Sequence, residues 1–366
     1  MSKISIIVPC YNEQAMIPLL YETLVKTTDA IEGHTFEFLL VDDGSKDNTM
    51  KEILEIAKID PRVRYISFSR NFGKESAIYA GLENSDGDLT VIMDADLQDP
   101  PALLPEMIDA IEKEGYDSVA TRRVTRKGEP KIVSFFARRF YQLMNRMSDV
   151  DMVDGARDYR MMNREFVNAI LELEEYNRFS KGIFGWVGFK TKWLEYENIK
   201  RAAGETKWSF WKLFKYAITG IVSFSTVPLQ FAAALGVLFS LVAFVMIIVI
   251  VVRKICFGDP VQGWASTVCI IMLIGGIQLL SIGVLSQYIS RMYLEIKDRP
   301  IYLCARTNLD DDAPASALHH GRRRSVRLYA DREDYGSAPQ RADQKRIQAG
   351  EADADDTVRP ADPANE

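Results

Sequence analysis

Apolar residues run in short unbroken blocks through the first hundred positions: ISIIVP (4–9), FEFLLV (36–41), VRYISF (63–68) and DLTVIM (88–93). Between them, segments near 16–28, 48–58 and 73–84 carry apolar residues at helical spacing. Near-continuous apolar strands alternating with helices predict an α/β architecture, a mostly parallel sheet buried on both faces. In such sheets ligands bind beyond the carboxyl ends of the strands. Each block here is followed by polar residues: Tyr11-Asn12-Glu13, Asp42-Asp43-Gly44, Ser69-Arg70-Asn71, and Asp94 with Asp96. The pattern predicts one site on one rim.

Two later blocks are much longer. Residues 228–252 and 264–289 carry no formal charge. Each exceeds the ~20 residues that cross a bilayer. Their length, and their apolar character on every helical face, favour membrane spans over core helices. The N-terminal run SIIVPC is too short for a signal peptide, and polar Tyr11-Asn12-Glu13 follows it. The first half is therefore expected to fold in the cytosol. Lys207, Lys212 and Lys215 precede the first span, and Arg291, Lys297 and Arg299 follow the second. This bias puts both flanks, and both termini, on the cytoplasmic side of the cell membrane, although Arg253 and Lys254 in the connecting loop dilute it. From about residue 306 the chain is rich in Ala, Asp, Arg, Pro and Gly and has no apolar period, which predicts a mostly disordered tail. The expected organisation is a cytoplasmic catalytic domain over 1–226, two membrane helices over 227–292, and a juxtamembrane segment with the tail over 293–366.

Composition narrows the chemistry. A net charge of −6 gives no reason to expect nucleic acid. The four cysteines form no CxxC pair and read as packing residues. The phosphate-cradling patterns GxGxxG and GxxxxGK[ST] are absent. The acids of VIMDADLQDPP (91–101) suggest another way to hold a phosphate. Residues i and i+2 of a strand point to one side, so Asp94 and Asp96 can converge on a hard cation, Mg²⁺ or Mn²⁺, that bridges to a diphosphate. Asp99 precedes Pro100 and a helical run, and reads as an N-cap.

IIVPCYNE, VDDGSKDNT, RNFGKESAI and DADLQDPP, in this order and spacing, resemble the family 2 glycosyltransferases with a GT-A fold. The similarity extends over roughly residues 1–303 to the polyprenyl-phosphate glycosyltransferases: the dolichol-phosphate mannose synthases and the bactoprenol glucosyltransferases. Two spans after the catalytic domain favour the bactoprenol branch. The resemblance implies that Pro9, Tyr11 and Glu13 line a nucleotide-base pocket and that Asp42 contacts the uridine end. It implies that Asp94 and Asp96 meet the diphosphate and its metal, with Gln98 as a further ligand. DGARDYRMMNR (154–164) is similar to the acceptor-side motif usually written GDFR. This gives Asp158 the catalytic position and makes Arg160 its neighbour. Arg157 stands where glycine is common, and arginine resists positive φ. Lys207 in GETKWS matches a basic residue expected to meet phosphate, and NRFSKGIFGWVGF (177–189) also fits. The QxxRW signature of the processive synthases is absent, which favours single-sugar transfer.

The basic stretch 122–139 leads into an amphipathic helical pattern. Its arginines suit either anionic headgroups or a lipid phosphate. Arg122 and Arg138 are the candidates for substrate contact. Lys74 either faces the donor or simply starts a helix. The expected reaction moves one hexose, glucose from UDP-glucose, onto undecaprenyl phosphate with inversion. UDP-GlcNAc, UDP-galactose and GDP-mannose are alternative donors. A non-catalytic membrane anchor or recruiting subunit is the alternative of another class. Membrane lipid is an expected partner, and a homo-oligomer is compatible with the sequence.

Overall fold

A computed structural model of the chain describes residues 1–123, 153, 155–196, 222, 225–257, 263–309 and 326–327. Four parallel strands form its centre: β1 (Ser2–Cys10), β2 (His34–Asp42), β3 (Val63–Phe68) and β4 (Leu89–Ile92). Helices α1 (Ile17–Thr28), α2 (Thr49–Ile59) and α3 (Lys74–Asn84) connect them. Past β4 come a 3₁₀ turn (Pro101–Leu103), α4 (Leu104–Glu112), β5 (Ser118–Arg123), β6 (Ala156–Asn163), α5 (Arg164–Leu171), α6 (Ser180–Trp186) and β7 (Thr191–Tyr196). The nine-stranded order is β7-β5-β6-β4-β1-β2-β3-β8-β9, where β8 is Leu303–Thr307 and β9 Val326–Arg327.

Alternation along the central strands explains the two layers of helices. Ile4, Ile6 and Val8 of β1 join Phe38 and Leu40 of β2 on one face, against Leu20 and Leu24 of α1, Ile53 of α2 and Met107 of α4. Ile7, Leu39 and Val41 face the other way, against Ala77 and Ile78 of α3 and Phe166 and Ile170 of α5. Both faces are covered, so the strands read as continuous apolar runs.

The sheet is not wholly parallel. β6 runs antiparallel to β4, with Ile92 opposite Arg160 and Leu89 opposite Asn163. Asn163 then caps α5: its side chain accepts the Phe166 N–H at 2.8 Å. The reversal matters because β6 carries Asp158 back past the carboxyl end of β4.

Two helices follow, α7 (Val227–Phe257) and α8 (Trp264–Ile296). Their apolar windows Val227–Met246 and Leu273–Ile296 are long enough to cross a membrane. At 31 and 33 residues, each helix outruns a ~30 Å hydrocarbon core at about 1.5 Å per residue. Their apolar side chains point outward, with Leu279 71% exposed.

Beyond α8 the chain returns to the catalytic sheet. β8 adds antiparallel to the edge of β3. Tyr302 stacks on Phe68, and its hydroxyl donates to Glu83 at 2.7 Å and accepts from the Asn84 amide at 3.0 Å. The Asn308 side chain accepts from the Tyr65 N–H at 2.8 Å and donates to the Val63 carbonyl at 3.0 Å. Leu309 is buried. The sequence suggests a composition break near 306, whereas the chain packs on the domain through Leu309, and Val326–Arg327 adds β9 to the sheet. The reason is that β8 is held by backbone and amide bonds that leave no apolar period. Replacing Asn308 with alanine is expected to cost about 1–3 kcal/mol, since it strands two backbone groups of β3. Thermal unfolding of the full chain in detergent measures it, and an unchanged midpoint contradicts the role.

Candidate active site

The loops after the parallel strands meet on one rim and are laced together. Asn12, at φ 55°, donates its N–H to Ser45 Oγ at 2.9 Å and accepts the Lys46 N–H at 2.8 Å. The Glu13 N–H reaches Thr49 Oγ1 at 2.8 Å. Gly44 has φ 63°, and a Cβ there would lie 2.5 Å from the Arg70 carbonyl carbon, so only glycine lets the second and third loops approach. Pro9, Tyr11 and Glu13 are half-buried along this rim. Asp42 is 2% exposed, with Oδ1 accepting from the Ser45 N–H at 3.1 Å and Oδ2 from Ser67 Oγ at 2.8 Å. Its carboxylate braces the loops from below.

Asp43 fixes the turn before α3. Its carboxylate accepts the Phe72 N–H at 2.6 Å, the Gly73 N–H at 3.0 Å and the Asn71 side-chain amide at 2.8 Å. Burial pushes its pKa up to about 6 against the pull of those N–H groups. The residue after this turn is Lys74.

Lys74 is the hub of the site. Its ammonium meets Asp94 Oδ1 at 2.6 Å and also bonds Asp158 Oδ2. Burial alone would raise the Asp158 carboxyl, but the charges of Lys74 and Lys181, the Lys74 hydrogen bond and the Arg157 charge together hold it well below the usual carboxylate range. Burial likewise opposes the charge on Lys74, yet Asp158 and Asp94 raise its pKa above the ordinary lysine value. Lys181 Nζ donates to the Ala156 carbonyl at 3.2 Å. Behind Lys74, Glu75 accepts from the Ser180 N–H at 2.9 Å and from its hydroxyl. Neither Lys181 nor Ser180 was singled out by sequence, although both lie within NRFSKGIFGWVGF, the only signal that pointed to them.

The acidic loop is tightly turned. Leu97 sits at φ 53°, a conformation that costs a non-glycine residue roughly 1–2 kcal/mol. This brings the Gln98 N–H to Asp96 Oδ1 at 3.2 Å. Asp99 is a correction to the sequence reading. It caps no helix, because the 3₁₀ turn and α4 begin at Pro101 and Leu104 without a side-chain cap. Asp99 is instead fully buried and accepts from Arg157 Nε at 3.2 Å and from the Tyr196 hydroxyl. Arg157 lies in extended β6, so no positive φ is asked of it. Its guanidinium also approaches Gln98 Oε1 at 3.5 Å.

Along β6 a cavity of about 200 Å³ opens, with Arg157, Arg160, Lys181, Phe184 and Trp193 in its wall. Arg160 is 4% exposed, donates to Ser118 Oγ at 3.0 Å and lies 4.5 Å from the Phe184 ring centroid. Burial lowers its pKa to about 9, with Asp158 opposing. Arg122 meets Glu195 across the β5–β7 pair. Arg138 and Lys207 lie outside the described residues.

Asp94 and Asp96 offer hard carboxylate oxygens within one turn, a donor set suited to Mg²⁺ or Mn²⁺. Among the described residues no three acidic, histidine or cysteine side chains converge. A cation held by this pair would need further ligands, such as the oxygens of a diphosphate.

Residues 5–171 match the profile of glycosyl transferase family 2. A prophage bactoprenol glucosyl transferase homolog of Escherichia coli K12 is 40% identical over 304 residues, 83% of this chain and 99% of its own. The chain belongs to glycosyl transferase family 2. The bactoprenol glucosyl transferase of Shigella phage SfX is also 40% identical, over 82% of this chain and 98% of its own. Among solved structures, glucosyl-3-phosphoglycerate synthase of Mycobacterium tuberculosis, in complex with Mn²⁺ and UDP-glucose, aligns with a TM-score of 0.41 at 19% identity, covering 60% of this chain and 77% of that one. As a family 2 member the chain is a glycosyltransferase, built on a mostly parallel sheet with antiparallel β6 beside parallel β4.

Proposed function

We propose that this glycosyltransferase moves a single glucose from UDP-glucose onto undecaprenyl phosphate at the cytoplasmic membrane face. The observation that carries the reading is the reach of the similarity. The 40% identity to bactoprenol glucosyl transferases extends over 304 residues, well past the family 2 segment that ends at 171. A substrate set that includes a lipid phosphate suits a catalytic domain joined to two apolar helices.

The chemistry follows from the rim. Pro9, Tyr11 and Glu13 take the base, and Asp94 and Asp96, with Gln98 beside them, face the diphosphate. Mg²⁺ or Mn²⁺ held there would neutralise charge on the departing diphosphate. An oxygen of the acceptor phosphate attacks the anomeric carbon as the bond to UDP breaks, and UDP leaves with the electron pair. Direct displacement inverts the centre. Lys74, bonded to both Asp94 and Asp158, would align the two phosphates. Arg160 and Lys181 supply positive charge on the acceptor side.

Membranes containing the full chain, incubated with UDP-glucose, UDP-GlcNAc, UDP-galactose and GDP-mannose in turn, are expected to yield one hexosyl undecaprenyl phosphate by mass, from UDP-glucose. A product from another nucleotide sugar moves the donor assignment. No lipid product from any of the four overturns the lipid-phosphate acceptor.

A further inference from the structure

Lys74 holds a position that the proposed function leaves unexplained. β4 and β6 pair antiparallel with Ile92 opposite Arg160. Asp94 follows two residues after Ile92 in the loop beyond β4, and Asp158 precedes Arg160 by two residues in β6. Two carboxylates gathered at one point repel, and the Lys74 ammonium bonds both, 2.6 Å from Asp94 Oδ1 and bonded to Asp158 Oδ2. The carboxylate oxygen it occupies belongs to one of the two residues suited to a divalent cation.

The backbone around Lys74 is pinned. Asp43 holds the Phe72 and Gly73 N–H groups on one side, and Glu75 holds Ser180 on the other. The Lys74 side chain is 41% exposed and ends a flexible four-carbon stem. The ammonium can therefore leave Asp94 while the helix start stays in place.

We propose that Lys74 is a resident counter-ion for Asp94, which a nucleotide-borne divalent cation displaces. On displacement Lys74 keeps Asp158 and turns its free donors toward a phosphate oxygen. Cation alone then competes with a tethered ammonium and binds poorly. Cation arriving with a nucleoside diphosphate gives the ammonium a new partner and binds well. Productive loading is thus ordered by the chain itself. The inference rests on Asp94 and Asp96 being the cation ligands.

Mn²⁺ titration of the full chain in detergent, read by electron paramagnetic resonance with and without UDP, tests it. Lys74→Gln is expected to tighten Mn²⁺ binding in the absence of UDP by about tenfold, equivalent to ~1.4 kcal/mol. The gain from adding UDP should shrink correspondingly. Lys74→Arg keeps the charge and should behave as the parent. Lys181→Gln removes a cation that bonds the Ala156 carbonyl rather than Asp94, and should shift Mn²⁺ affinity by less than about threefold. Unchanged or weaker Mn²⁺ binding in Lys74→Gln overturns the inference, as does an equal gain in Lys181→Gln, which would mark a general field effect. Absence of Mn²⁺ binding by the parent even with UDP instead overturns the assignment of Asp94 and Asp96 as ligands.

Discussion

Asp158→Asn is expected to lower kcat by on the order of 10²–10³-fold, the size of effect seen when one preorganised electrostatic group is lost, while the acid limb of the pH–rate profile survives. The second half of that expectation separates two roles for the residue. A general base must titrate near working pH. Asp158 does not, because Lys74 and Lys181 outweigh its burial and keep its pKa well below the usual carboxylate range. The sign follows from linkage. A depressed carboxyl pKa adds stability that is present above the ordinary carboxylate range and is lost only as pH falls through the depressed value. Between about pH 5 and 8 Asp158 is therefore a fixed anion. The acceptor phosphate, with a second pKa near ~6, changes charge in that window. The limb belongs to the acceptor and should persist in the variant. A rate that becomes flat over this range would make Asp158 the titrating group and remove its positioning role.

Asp96→Asn is expected to reduce transfer by 10³-fold or so while leaving the thermal midpoint unchanged. A neutral amide is a poor ligand for a hard divalent ion, and the bond to the Gln98 N–H survives because the amide oxygen can still accept it. Chelation of the parent by EDTA should reproduce the loss, and added Mg²⁺ or Mn²⁺ should restore the parent but not the variant. Full activity in EDTA would take the cation out of the reaction. A large fall in the thermal midpoint would instead make Asp96 a structural residue of the strained Leu97 turn.

The central half of the fold is legible in the sequence. The blocks 4–9, 36–41 and 63–68 lie within β1, β2 and β3, and 88–93 brackets β4. They are legible because a strand buried on both faces leaves an unbroken apolar run. β8 is not, since LCART alternates too briefly to stand out from the chain around it. Asp94 and Asp96 follow β4, which ends at Ile92, so they stand in a turn rather than at the alternating strand positions that the sequence suggests. Lys74 as a hub is not legible. Its partners stand 20 and 84 positions away, and only the antiparallel return of β6 brings Asp158 to it. Asp99 misled for the same reason: Asp-Pro-Pro before a helical run is a local signal, whereas Arg157 and Tyr196, which decide its place, are 58 and 97 residues distant.

The return of the chain to β3 after α8 governs how the protein can be made. The sheet is discontinuous in sequence, and both long apolar helices are an insertion between its main body and β8, the strand that pairs with β3. During synthesis the body emerges first, with the β3 edge open and able to pair with another chain. That edge is closed only after some 300 residues, both long apolar helices among them, have been synthesised. Sealing is a late, long-range step of the kind that folds slowly. Biogenesis and completion of the sheet are thereby linked: a polypeptide that stops short of β8 keeps an open β3 edge.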